Sequence, residues 1–139
     1  MNFRESIKKR RIGVIFTLIS LFSMVLIFEY CKVGQRNSAM IAIEIIPFTL
    51  FLVSFIVTFI KTGLWGFIHK PLKKLDEREI AVTSKSLRYA YSIFTVVVLF
   101  ILLSIAITNL QVDVVLVASL ILFAHILPAA IIAWTEKVI

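Results

Sequence analysis

Residues 112–134 read VDVVLVASLILFAHILPAAIIAW. Beyond Asp113 at its start, the run carries one ionisable side chain, His125. A hydrocarbon core of about 30 Å is crossed by about 20 helical residues, so the stretch predicts a transmembrane helix over 112–134. Three further runs of similar length lie upstream, at Ile12–Tyr30, Met40–Ile60 and Tyr89–Asn109. The composition agrees. Hydrophobic residues make up 60% of the 139, with a mean hydropathy of +1.03, against about 45–50% apolar in soluble domains. A soluble fold of this length could not bury so much apolar surface, so the bilayer is the expected solvent. The expected fold class is an all-α membrane protein, four transmembrane helices as two antiparallel hairpins, forming a single domain over 1–139.

The hairpins follow from the connections. Runs one and two are joined by residues 31–39, and runs three and four by little more than Leu110-Gln111. Short links force neighbouring helices antiparallel. The middle connection, 61–88, is long and is punctuated by Gly63, Gly66 and Pro71. Trp65 and Phe67 within it, and Trp134 at the end of run four, are expected at the membrane–water interface. After Pro71 the chain reads Leu72-Lys73-Lys74-Leu75-Asp76-Glu77-Arg78-Glu79-Ile80-Ala81-Val82. Lys73 and Lys74 precede Glu77 by four and three residues, a spacing that pairs charges on a helix. This predicts a short cytoplasmic helix over 72–82 running almost directly into segment three. Leu72, Leu75, Ile80, Ser84, Leu87 and Tyr91 would share one face, and Thr83, Ser84 and Ser86 are candidates for a break or a cap.

The net charge is +7. Thirteen of the fifteen lysines and arginines lie in three places: the N-terminal arm (Arg4, Lys8, Lys9, Arg10, Arg11), the middle connection (Lys61, Lys70, Lys73, Lys74, Arg78, Lys85, Arg88) and the tail (Lys137). Lys32 and Arg36 lie in the first short link. Positive charge accumulates on the cytoplasmic side, so both termini and the middle connection are expected in the cytoplasm, on a plasma (inner) membrane. Basic flanks of this kind also contact lipid headgroups. They lack the interleaved aromatics of a nucleic-acid platform, so membrane lipids are an expected partner and nucleic acid is not. The first apolar run reaches about Phe28, longer than the roughly 7–15 residues of a signal-peptide core, and no A-x-A-like site ends it. It reads as an uncleaved helix. Cys31 is the one cysteine, so no internal disulfide and no Cys/His metal cluster is expected.

The stretch Leu75-Asp76-Glu77-Arg78-Glu79, followed by Lys85, Ala90 and Tyr91 leading into an apolar helix, resembles a pattern in small uncharacterised prokaryotic membrane proteins, a domain of unknown function. The resemblance spans Leu75 to Tyr91. It implies a small membrane domain with a charged motif before a span, and no activity.

Two residues stand out inside the runs. Glu44 lies a few residues into segment two, with Pro47 three residues on. An acid in hydrocarbon costs at least about 2.5 kcal/mol, so such a group is a functional candidate by default. Pro47 removes a backbone donor and is a candidate kink. The bland alternative is that Glu44 reaches headgroup water. His125 is deeper in segment four by residue count, with Pro128 three residues on, a second candidate kink. It could relay protons or bond a hydroxyl such as Ser20, Ser23, Ser54 or Ser104 as packing glue. Glu29 and Asp113, with Lys32 and Arg36, form an expected interfacial ion-pair set at the outer boundary, worth about 0–1 kcal/mol. Ala129, Ala130 and Ala133 make a small face suited to close helix contact.

No Walker, dinucleotide, zinc-protease or nucleophile-elbow motif occurs. The two histidines, His69 and His125, fall at different depths, so bis-histidine haem is not expected, and no cofactor or metal is expected. Two functional expectations stand ahead of a third, a small membrane enzyme, for which the sequence offers no recognisable nucleophile–base set. One is a non-catalytic protein acting by contact (an accessory, regulatory or immunity-type subunit), with Asp76, Glu77, Arg78 and Glu79 presented to a membrane protein partner or a second copy. The other is a minimal oligomeric transporter with Glu44 and His125 as proton or cation sites.

Overall fold

The computed structural model describes residues 3–33, 38–109 and 111–136. Arg36, Leu110 and Lys137 lie outside the described residues, as do the side chains of Arg4, Lys32 and Leu72. Among the described residues all regular structure is helical: α1 (Phe3–Val33), α2 (Ser38–Phe55) ending in a π-turn (Ile56–Ile60), α3 (Leu64–Ile68), a 3-10 turn (Leu72–Lys74), α4 (Glu77–Thr108) and α5 (Val114–Thr135). Four stretches are long and apolar enough to cross a membrane: Ile7–Cys31, Ala42–Ile60, and the helices α4 and α5. Large apolar side chains such as Phe22, Phe100 and Ile107 are 65%, 72% and 73% exposed, which only a lipid solvent makes favourable. The chain is an all-α, multi-pass membrane protein.

It divides into two compact units, Met1–Gly63 and Leu64–Ile139, each built on one hairpin. In hairpin 1, α1 packs on α2. Its core sets Val14, Leu21, Phe51 and Phe59 beside three buried hydroxyl residues, Thr17, Ser20 and Thr58. The helices approach closely at Gly13, where a Cβ would run into the Thr58 side chain. Gly13 therefore lets two backbones meet as small residues do between membrane helices. Thr17 Oγ1 donates to the Gly13 carbonyl at 2.9 Å and lies 2.6 Å from Ser54 Oγ, which reaches the same carbonyl at 3.1 Å. α2 stays helical through Pro47. It departs from α geometry only later, at Ile56–Ile60, where the Lys61 N–H reaches the Ile56 carbonyl at 2.9 Å.

In hairpin 2, α4 packs on α5 and α3 also touches α5. α4 ends at Asn109, whose left-handed φ of 53° stops the helix in the conformation asparagine tolerates best after glycine. Asp113 caps α5, accepting from the Leu116 N–H at 2.8 Å, so a residue expected in a boundary ion-pair set serves as a helix cap. The buried residues of α5 include Ile126, Leu127, Ala129, Ile132 and Ala133, and those of α4 are Thr83, Ser86 and Ala90. Both sets are rich in small residues, as a close crossing needs.

The connection between the hairpins departs from expectation. Leu72–Lys74 is a 3-10 turn, and the helix expected over 72–82 starts at Glu77 and runs unbroken to Thr108. Asp76 caps it, so Thr83, Ser84 and Ser86 mark neither a break nor a cap. Aspartate followed three residues later by glutamate makes a capping box, and that local signal fixes the start after the turn that follows Pro71.

Candidate functional site

The polar residues fall into two groups, inside the spans and at the loop end of hairpin 2. Inside hairpin 1, Glu44 is half-buried on α2 and has no hydrogen-bond or ion-pair partner among the described residues. Pro47, one turn on, is buried. In hairpin 2, His125 is exposed, and its Nδ1 lies 2.8 Å from the Ile121 carbonyl one turn back. A carbonyl only accepts, so Nδ1 carries the proton. Through Nδ1 the imidazole thus bonds its own helix. The hydroxyls of Ser20, Ser54 and Ser104 each donate to a backbone carbonyl within their own hairpin: Ser20 to that of Phe16 at 2.7 Å, Ser54 to that of Gly13, and Ser104 to that of Phe100 at 2.8 Å. Pro128 is buried within α5, which continues past it, beside Ala129, Ala130 and Ala133.

Two contacts set the register of hairpin 2. The Phe94 and Phe123 ring centroids are 6.3 Å apart, and Arg78 Nη2 lies 3.5 Å from Glu136 Oε2. In an antiparallel pair of equal rise per residue, these put His125 level with Tyr89–Ser92, where the apolar part of α4 begins.

The loop end of hairpin 2 gathers the charges. Asp76 closes the first turn of α4: its Oδ1 accepts from the Glu77 N–H at 2.7 Å, and its own N–H donates to Glu79 Oε2 at 3.1 Å. The same carboxylate takes Lys70 Nζ at 2.8 Å. The Lys70 bond first, and the Asp76 N–H second, hold the Glu79 carboxyl below its ordinary value of 4.5. Arg78 ties the start of α4 to Glu136 at the end of α5. Of the four residues expected to face a partner, Asp76, Arg78 and Glu79 are thus engaged within the hairpin, and Glu77 is exposed. The acid that a loop lysine holds is Glu79, through Lys70, not Glu77 through Lys73 or Lys74. Phe67, Lys70, Lys74, Asp76, Arg78, Glu79, Val82 and Glu136 line a cavity of about 370 Å³. On α3, the His69 ring lies tilted against Trp65 with centroids 4.4 Å apart, and its Nδ1 lies 2.9 Å from the Trp65 carbonyl.

No group of three or more His, Cys, Asp or Glu side chains suited to a metal occurs among the described residues. The seam of Gly13, Thr17, Ser54 and Thr58 escapes the sequence reading. Its signal is the small-xxx-small spacing of Gly13 and Thr17. Compared with protein-family models, with curated proteins and with solved structures, the chain matches none of them.

Proposed function

We propose that the chain acts by protein contact, as an accessory, regulatory or immunity-type membrane subunit, and without catalysis. The recess at the loop end of hairpin 2 supports this reading. Its acids and bases are joined to one another through the Lys70–Glu79 and Arg78–Glu136 pairs and the Asp76 capping box. A charge pattern fixed this way meets a partner with little further ordering cost, and complementary charge selects the partner. The distribution of lysine and arginine supports a cytoplasmic placement of the recess and of both termini in a plasma (inner) membrane. The partner is a second membrane protein or a further copy of this chain.

The test is native mass spectrometry after gentle extraction from the protein's own membrane, with Lys74→Glu and Glu77→Lys as variants. Both side chains are exposed, and neither takes part in the ion pairs or in the side-chain bonds of the cap. A second polypeptide in stoichiometric amount is expected, and its recovery should fall by about tenfold or more in the variants, since a like-charge contact costs several kcal/mol. Recovery that the variants leave unchanged removes the recess from the interface.

A second reading rests on Glu44, an acid without a partner among the described residues in an otherwise apolar stretch. An oligomer of the chain would then move protons or cations using Glu44 and His125. In proteoliposomes Glu44→Gln should abolish a proton-coupled flux. Absence of flux in the wild type under any imposed gradient ends that reading.

A further inference from the structure

The helices of hairpin 2 differ in where their apolar character stops. α5 is apolar to Trp134, whereas α4 carries Lys85 and Arg88 beside it. The register set by Phe94–Phe123 and Arg78–Glu136 places Arg88 level with Ile126–Ala129, and Trp134 level with Ile80–Thr83. At 1.5 Å per residue the offset between Arg88 and Trp134 is about 8–12 Å. A headgroup layer is about 5–8 Å deep on each side of a 30 Å core. Taking Tyr89, the first residue of the apolar run, as the edge of the hydrocarbon, the stretch of α4 from Ile80 to Arg88 lies in the headgroup layer, with Arg88 at its inner edge.

At that level α4 carries an open groove of about 500 Å³. Its polar lining consists of Thr83, Ser84 and Arg88, and its apolar lining includes Ile80, Leu87 and Tyr91. Residues one turn from Arg88 in either direction, Ser84, Lys85, Tyr91 and Ser92, include no acid, and Arg88 has no carboxylate partner among the described residues. The Thr83 hydroxyl is buried without a hydrogen-bond partner, in a residue only 9% exposed. The Arg88 guanidinium and the Ser84 hydroxyl, both on exposed residues, present donors to the groove, and a phosphodiester presents only acceptors. A free anion in this groove would leave Leu87 and Tyr91, 49% and 73% exposed, uncovered beneath it. A lipid covers them with its glycerol backbone and first methylenes.

We propose that the first turns of α4 hold an anionic membrane phospholipid, its phosphate on Arg88 and Ser84 and the upper part of its chains over Leu87 and Tyr91. One basic contact near an anionic membrane surface corresponds to about a fivefold preference. The test equilibrates the full-length detergent-solubilised protein with equimolar phosphatidylglycerol and phosphatidylcholine of identical chains. Retained lipid is then counted by native mass spectrometry. The wild type should retain phosphatidylglycerol about fivefold over phosphatidylcholine. Arg88→Gln should bring the ratio near one, Arg88→Lys should keep part of it, and Ser84→Ala should lower it. Millimolar inorganic phosphate should displace none of the lipid. Three outcomes overturn the proposal: equal retention of both lipids by the wild type, a preference that Arg88→Gln leaves intact but Lys8→Gln with Lys9→Gln removes, or displacement by phosphate alone, which marks a free-anion site.

Discussion

Hairpin 1 and hairpin 2 solve the same problem, keeping two helices together in lipid, with different groups. In hairpin 1 the seam at Gly13 is neutral: a glycine backbone, three hydroxyls and a shared carbonyl. In hairpin 2 the packed faces are alanine-rich, and the charged groups that join the helices stand at one end, outside the apolar part of the span. Lipid offers no hydrophobic drive between helices, so contact comes from close packing and hydrogen bonds. Where charge is used, it is kept where water lowers its desolvation cost. The comparison shows which half tolerates crowding and which tolerates loss of charge.

The largest expected effect breaks hairpin 1 alone. Gly13→Leu forces a side chain into the place of Thr58, and overpacking a close contact costs about 1–3 kcal/mol. Unfolding of the reconstituted protein in rising dodecyl sulfate should begin earlier in residues 12–60, with α4 and α5 keeping their own transition. A Gly13→Ala, Thr58→Gly pair should recover most of what Gly13→Ala loses, because the space is shared. Equal loss in both hairpins would mean that they do not pack independently.

The second effect, smaller and local, belongs to hairpin 2. Asp76→Ala removes the cap of α4, worth about 0.5–2 kcal/mol. Because the span of α4 is held by α5, the loss should be confined to the first turns. Hydrogen exchange should speed up at the amides of Glu77–Ala81 and leave those beyond Ala90 unchanged. If exchange rises along all of α4, the cap is nucleating the span as well as finishing its end.

Most of the fold is legible in the sequence because the bilayer demands it. Four runs of about 20 apolar residues cannot be hidden elsewhere, and the link at Leu110-Gln111 leaves α4 and α5 no choice but to lie antiparallel. The start of α4 is harder to read. Lys73, Lys74 and Glu77 have helical spacing, and this favours a start at Leu72. The capping box of Asp76 and Glu79 competes with that pattern over the same residues, and geometry settles in its favour after Pro71. The Gly13 seam is hidden for a different reason. Its partners Ser54 and Thr58 lie on the other helix, and no local period links positions so far apart.

The smallest expected effect is a dependence on pH confined to the loop end of hairpin 2. Lys70 and the Asp76 N–H hold the Glu79 carboxyl below its ordinary value of 4.5. A carboxyl whose folded value is depressed stabilises the fold above the unfolded value and loses that contribution as pH falls through the folded one. From neutral pH down to about 5 the first turns of α4 should therefore be unaffected. Below 4.5, protonation of Glu79 removes an acceptor from Lys70 and from the Asp76 N–H together, and the turn loosens. Protection factors for the amides of Asp76–Ala81, corrected for the intrinsic pH dependence of exchange, should fall over that range. Lys70→Gln should shift the fall toward higher pH by removing the main cause of the depression. Hairpin 1 offers the internal control, since no carboxylate takes part in the Gly13 seam, and its amides should keep their protection over the same range. A wild type and a Lys70→Gln variant with superimposable profiles would show that Lys70 does not set the charge of Glu79, and the loop end would then rest on the cap and the Arg78–Glu136 pair alone.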